Sequence, residues 1–417
     1  MTDIARRSLL LSGLGLGALG VLSACGGSDS SSSSTPAASG SAGAGTITIW
    51  VDSDRAPVLK SVAAQFKKDV GVTVNLVVKD NSKIVPDFIT QVPTGKGPDA
   101  IICAHDRLGT LVKNGVVSPL ELGDTTDQYQ DIAIKAFTYQ DKIYGVPYST
   151  ENLALIRNTK LAPSAVTSWD AMIAAGRKSG AKYPVLVGMD SVQAASPYNL
   201  YPFQASFNAP VFKIGADGAY DGTTLGMGDA AGASFATWLA AQQKARTLNI
   251  NISNDIAKTS FLSGQSPFFI SGPWNLADIK AKKIPYAIEP IPAAGSQAAT
   301  PFVGVQGFAM SSKSKNTVAT QKFIVEYAGN ADIQYKLFEA GQRPPANKEA
   351  FEKAKSDKDV AAYGAVGAKG VPMPAVPAMD SVWTDWGNAE AAILSGKSAD
   401  PAAAWQKMVT GLQAKIK

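Results

Sequence analysis

Apolar residues in this chain recur at two periods that alternate along its length. From Thr46 to Val51 they alternate with polar ones, as on a strand, and Asp52-Ser53-Asp54-Arg55 stands at the carboxyl end of that run. Val58, Val62, Phe66 and Val70 follow at helical spacing, and Gly71 is a natural helix terminator. The β-branched run Val72–Val78 predicts a second strand, a helix is predicted around Ile84–Gln91, and the apolar run Ala100–Ala104 predicts a buried strand. Strand, helix, strand, helix, strand with crossovers of this length predicts a parallel sheet.

Further along, strands are predicted over 142–147, 153–157, 184–188, 268–270, 284–291 and 303–311. Helices are predicted over 171–178, 229–246, 256–263, 317–328, 331–340, 385–394 and 401–417, with Gly341 and Pro344 ending the fifth. The last has Asp400 as cap and Pro401 in its first turn, and it places Trp405, Met408, Val409, Leu412 and Ile416 on one face. There are more strands than one core needs, so the fold class expected is α/β in two lobes.

The first 24 residues depart from this pattern. Arg6-Arg7 opens an apolar run from Leu9 to Leu22 that ends in Leu22-Ser23-Ala24-Cys25, the anatomy of an export signal. The tetrad resembles the bacterial lipobox, which implies cleavage before Cys25 and a lipid on its thiol, hence an anchor in the cell membrane. Arg6-Arg7 resembles a twin-arginine motif, and the export route stays open. Gly15-Leu16-Gly17-Ala18-Leu19-Gly20 matches a dinucleotide fingerprint by accident, since no strand precedes it. Residues 25–45 are Ser, Gly and Ala with little else, a flexible tether. A globular body held outside the cytoplasm is expected.

Composition then removes classes of function. The formal charge of +5 comes from 39 basic and 34 acidic residues spread without blocks, so nucleic acid is not an expected partner. Of the 2 cysteines, Cys103 is the one left without a lipid, so no intramolecular disulfide can form. One histidine and one free thiol make no metal-ligand cluster.

The chemistry-bearing residues fall at predicted strand ends. Asp54-Arg55 and His105-Asp106-Arg107 follow the first and third strands, and ligands of open α/β sheets sit outside such carboxyl ends. A carboxylate beside a guanidinium offers fixed acceptors and a five-donor fork to a hydroxyl-rich ligand.

From Trp50 onward the chain resembles the extracytoplasmic solute-binding proteins of ABC importers, and among them the maltose/maltodextrin-binding proteins. The resemblance is carried in order by Gly97-Pro98-Asp99 with Ala104-His105-Asp106-Arg107, by Phe268–Ile270 into Gly272-Pro273-Trp274, by Pro301-Phe302-Val303-Gly304-Val305, and by Met373-Pro374-Ala375-Val376-Pro377 leading to Trp383. It implies two α/β lobes around a hinge and a ligand cleft, one from 46–150 and 304–345, the other from 151–303 and 346–417. It also implies a sugar ligand, a membrane permease as partner, a monomer and no cofactor.

Carried over residue by residue, the resemblance makes Asp54 with Arg55, and Asp106 with Arg107, hydroxyl-binding pairs. Glu151 becomes a ligand carboxylate, and Tyr198, Trp274 and Trp383 become aromatic platforms. Trp386, three residues beyond Trp383, is either platform or core. Cys103 stands where the maltose type has a tryptophan, Ser196 where it has a glutamate, and Thr384 and Gly387 where it has a tyrosine and an arginine. A disaccharide or oligosaccharide is therefore expected, with an α-glucoside favoured and other solutes open. A glycoside-acting enzyme needs two carboxylates, which Asp54, Asp106 and Glu151 could supply. Each resembles an ionised hydroxyl acceptor, however, so no catalytic residue is expected, and His105 is read as positioning its loop.

Overall fold

The computed structural model describes residues 45–215 and 220–416. The export segment, Cys25 and the tether lie outside the described residues.

Ten strands carry the argument: β1 (Thr46–Val51), β2 (Thr73–Val78), β3 (Ala100–Ala104), β4 (Gly145–Asn152), β5 (Ala154–Asn158), β6 (Leu186–Val187), β7 (Phe268–Ser271), β8 (Tyr286–Glu289), β9 (Phe302–Met310) and β10 (Val371–Pro372). The first sheet runs β10-β9-β3-β1-β2, with β4 on the other side of β9. β1 is parallel to both β2 and β3, so the ends carrying Asp54 and Asp106 emerge on one edge, as the sequence predicts. The sheet as a whole is mixed, because β9 runs antiparallel to β3 and β4. The second sheet is β8-β5-β7-β6.

Each sheet has its own core. Ile47, Ile49, Phe66, Phe88, Ile101 and Phe308 belong to one apolar cluster, and Leu155, Phe203, Phe268, Trp386 and Trp405 to another. The long pair β4 and β9 runs from one core into the other. Tyr148 and Val305 pack in the first, whereas Leu153 and Phe302 pack in the second. Two lobes bridged by paired strands leave a cleft between them.

Local chemistry sets the helix ends. The helix Ala56–Val70 stops at Gly71, whose φ of 79° suits glycine, and Asp80 caps Asn81–Gln91 by accepting from the Ser82 N–H. The helix Pro401–Lys415 begins under Asp400, which accepts from Ala403, and it buries Trp405, Val409 and Leu412.

Three expectations are corrected. The helix over 317–328 is α-helical only for Thr317–Lys322 and widens to a π turn over Phe323–Tyr327, with Phe323 and Tyr327 both set edge-on against Phe66. The helix Ala331–Gly341 passes through Gly341 and ends at Gln342, which takes the left-handed conformation at φ 58°. The Gln342 side chain donates to the Glu339 carbonyl at 2.9 Å, satisfying one of the terminal acceptors that a glycine cap leaves to water. The helix expected at 385–394 begins at Ala378, because Met379, Val382 and Trp386 continue its buried stripe backwards. Two helices gave no clear period: Lys348–Ala354, capped by Asn347, is short and polar, and Lys358–Gly367, capped by Asp357, spaces its buried Val360, Tyr363 and Val366 with alanine and glycine.

Candidate ligand-binding site

The cleft holds a cavity of about 470 Å³, within the size range of small-molecule sites. Asn81, Ser82, Cys103, Asp106, Arg107 and, on β4, Glu151 border it from one side. Asp190, Tyr198, Met373, Trp383 and Thr384 border it from the other side. A somewhat larger hollow of about 540 Å³ on the second lobe is lined by amides, alkyl groups and Lys397, without an aromatic ring or a carboxylate. The chemistry that can grip a hydroxylated ring is therefore in the cleft.

The end of β3 is fixed by His105. Its Nδ1 accepts the Val305 N–H at 3.0 Å, so Nε2 carries the proton and donates to the Met373 carbonyl at 3.0 Å. Burial pushes the imidazole pKa down despite Asp106, which keeps the ring neutral. Both nitrogens are occupied, so His105 positions its loop and holds no free base. Two residues on, the Arg107 side chain lies 3.4 Å from Asp106 and pairs with Asp380 of the helix Ala378–Leu394. Gly109 lets that neighbouring segment approach, since a Cβ there would meet the Pro377 nitrogen at 2.6 Å.

Glu151, on β4, accepts the Gln306 amide at 2.9 Å and Arg343 Nε at 2.6 Å. Burial alone would raise its pKa, but Arg343, Gln306 and Arg55 hold it below the usual carboxylate value. It is an ionised acceptor and unsuited to be a general acid. Asp190 is the opposite case: burial pushes its carboxyl up, against hydrogen bonds from Ser196 and Asn254.

The aromatic wall is layered. Trp383 stacks on Trp386 at 5.5 Å and 10°, with Phe302 edge-on to Trp383 at 6.3 Å. Trp386 is fully buried, so of its two readings the structure selects core, while Trp383 borders the cavity. The Trp383 indole N–H and the Tyr198 hydroxyl are shielded and lack hydrogen-bond partners among the described residues. Such donors beside a cavity suit a polar ligand.

Other expected site residues stand elsewhere. Arg55 is buried and paired with Asp52, its guanidinium 5.4 Å from the Tyr148 ring centre. That geometry corrects the expectation that Arg55 offers its fork to a hydroxyl; it braces the Asp54 turn instead. Ser196 is buried at the start of the helix Pro197–Ser206 and acts through Asp190. Cys103 borders the cavity as a neutral thiol, its pKa pushed up to about 12 by burial. Asp54 and Trp274 border a second hollow of about 270 Å³, together with Asn254, Lys258 and Arg343. The Gly-Pro-Trp block has a steric reason: a Cβ at Gly272 would lie 1.9 Å from the Trp274 ring, which folds back over it.

Sequence reasoning missed Asp190 and Arg343. Asp190 had a usable signal, standing just past the strand at 184–188. Arg343 follows a helix end and is brought into the cleft by tertiary structure alone.

This architecture has known counterparts. Over 89% of this chain and 100% of the other, it superposes with a TM-score of 0.80 and 26% identity on a maltotriose-binding protein of Thermus thermophilus solved with maltotriose. A galactooligosaccharide-binding protein of Bacillus subtilis (strain 168) is 25% identical over 95% of this chain and 94% of its own length. A maltooligosaccharide ABC transporter solute-binding lipoprotein of Streptococcus pneumoniae is 27% identical over 81% of each. The sequence pattern of the bacterial extracellular solute-binding proteins matches residues 61–367, and the chain belongs to that family.

Proposed function

We propose that the protein captures a short saccharide in the interlobe cleft and delivers it to an ABC permease. The observation that carries this reading is the composition of the 470 Å³ cavity. An indole plate and a tyrosine stand on one side, and Asp106, Arg107 and the ionised Glu151 on the other. A pyranose has apolar C–H faces that stack on rings and a belt of hydroxyls that want charged partners. Relatives named for maltooligosaccharides and for galactooligosaccharides support the ligand class and leave the linkage to measurement. The reading extends to a lipid on Cys25 as the anchor and to a monomer as the working form. Capture then means closing the lobes on the sugar, so that affinity depends on the open–closed balance as well as on contacts.

The test is tryptophan fluorescence of the chain carrying Cys25→Ser, titrated with maltose, maltotriose, trehalose and β-galactosyl oligosaccharides. Saturable change at micromolar sugar, with the sugar recovered intact, supports a binding protein. Silence across the panel overturns the saccharide reading, and release of shorter sugars overturns binding without chemistry.

A further inference from the structure

We infer that Arg343 is a length-determining residue, closing one end of the binding cavity so that the protein selects short saccharides over long ones. This rests on the saccharide reading above and adds to it a limit on ligand size.

The cleft is divided in two. Glu151 borders the 470 Å³ cavity, Arg343 borders the 270 Å³ hollow beyond, and the two side chains are joined by a 2.6 Å ion pair. The pair therefore stands in the partition. Across the cleft, Tyr198 faces the first space and Trp274 the second, their ring centres 6.3 Å apart. The Arg343 guanidinium reaches over to the Trp274 ring at 5.6 Å, so the partition is closed from both lobes. Asp54 Oδ2 lies 3.7 Å from Arg343 Nη1 on the far side.

Arg343 is held there by its backbone. Gln342 turns the chain in the left-handed conformation, and Pro344 and Pro345 follow. The Pro344 carbonyl accepts the Thr150 N–H at 2.9 Å, and Ala346 donates to the Tyr148 carbonyl at 3.1 Å. Gln130 also donates to the Pro345 carbonyl at 2.8 Å. The segment is thus stitched to β4, the strand that carries Glu151, and the ion pair is preorganised before any ligand arrives.

Beyond the partition, Trp274, Asp54, Asn254 and Lys258 form a second set of stacking and hydrogen-bonding groups. A longer saccharide reaches them only by displacing Arg343 from both Glu151 and Trp274. A short one leaves the partition intact.

The experiment titrates the chain carrying Cys25→Ser, with and without Arg343→Met, against maltose, maltotriose and maltopentaose and against the matching β-galactosyl series. Methionine keeps length while removing the fork. The readout is the ratio of pentasaccharide to disaccharide affinity, which cancels any general loss caused by leaving Glu151 unpaired. The unsubstituted protein is expected to gain nothing beyond the trisaccharide, and Arg343→Met to raise the ratio by about tenfold or more, one stacked residue's contribution. Arg343→Lys, which keeps charge without the planar fork, is expected to fall between and serves if the methionine variant does not fold. An unchanged ratio in the variants, or affinity that climbs steadily to the pentasaccharide in the unsubstituted protein, overturns the inference while leaving saccharide binding intact. Binding of neither series overturns both readings together.

Discussion

The two hollows of the cleft hold nearly the same residue types and use them differently. Each has a tryptophan, an arginine and a carboxylate. In the larger one, Trp383 is backed by Trp386 and Arg107 is drawn sideways to Asp380, which leaves ring and carboxylates beside open space. In the smaller one, Trp274 lies under Arg343, and Arg343 is held by Glu151. An aromatic and a charge become a binding surface only where their strongest partners lie behind them. Where the partners are each other, they become a wall.

The largest test of this contrast is between two tryptophans one turn apart. Trp386→Ala removes a fully buried ring and is expected to cost about 3–5 kcal/mol of stability. Trp383→Ala is expected to cost at least about 1.4 kcal/mol of ligand binding, a tenfold loss, with a much smaller fall in melting temperature. Denaturant unfolding beside sugar titration separates them, and equal stability losses would make both core.

A second test probes the support beneath Asp190. Glu390 is fully buried, and burial with Asp190 nearby pushes its pKa well above the usual value, against the Trp386 indole. A raised carboxyl pKa favours the folded state at low pH and penalises it once pH rises above the unfolded value. The penalty is about 1.4 kcal/mol per unit between the unfolded pKa and either the solution pH or the folded pKa, whichever is lower. Glu390→Gln should therefore raise the melting temperature at pH 8 and change it little at pH 4. A uniform shift at both pH values would refute the linkage.

The smallest effect is expected at Trp274. While Arg343 covers it, Trp274→Ala should change disaccharide affinity by less than about 0.6 kcal/mol, roughly threefold. A loss as large as that of Trp383→Ala would erase the distinction between the two hollows.

Much of this was legible in the chain. The strand ends bearing Asp54 and Asp106 follow from period and crossover length, and their common edge from parallel neighbours. His105 was readable as structural because no partner for catalysis accompanied it. What stayed hidden depends on contacts between distant segments. Nothing near Arg55 in sequence says that Asp52, not a ligand, takes its fork. Trp383 and Trp386 share a helix face, and only packing against Tyr201, 6.2 Å from Trp386, separates platform from core.

The histidine that fastens β3 also ties the two lobes to each other. One imidazole ties residue 105 to residues 305 and 373, and Gly109 seats the backbone of Ala375 and Pro377. Met373 itself packs in the second core with Met379 and Val382, so the same imidazole holds a second-core segment against the end of β3. Trp383 stands on the helix Ala378–Leu394 shortly after that tie, and Asp106 stands next to the imidazole. One imidazole therefore spaces ring and carboxylate across the cavity, as the pin does in a pair of jaws.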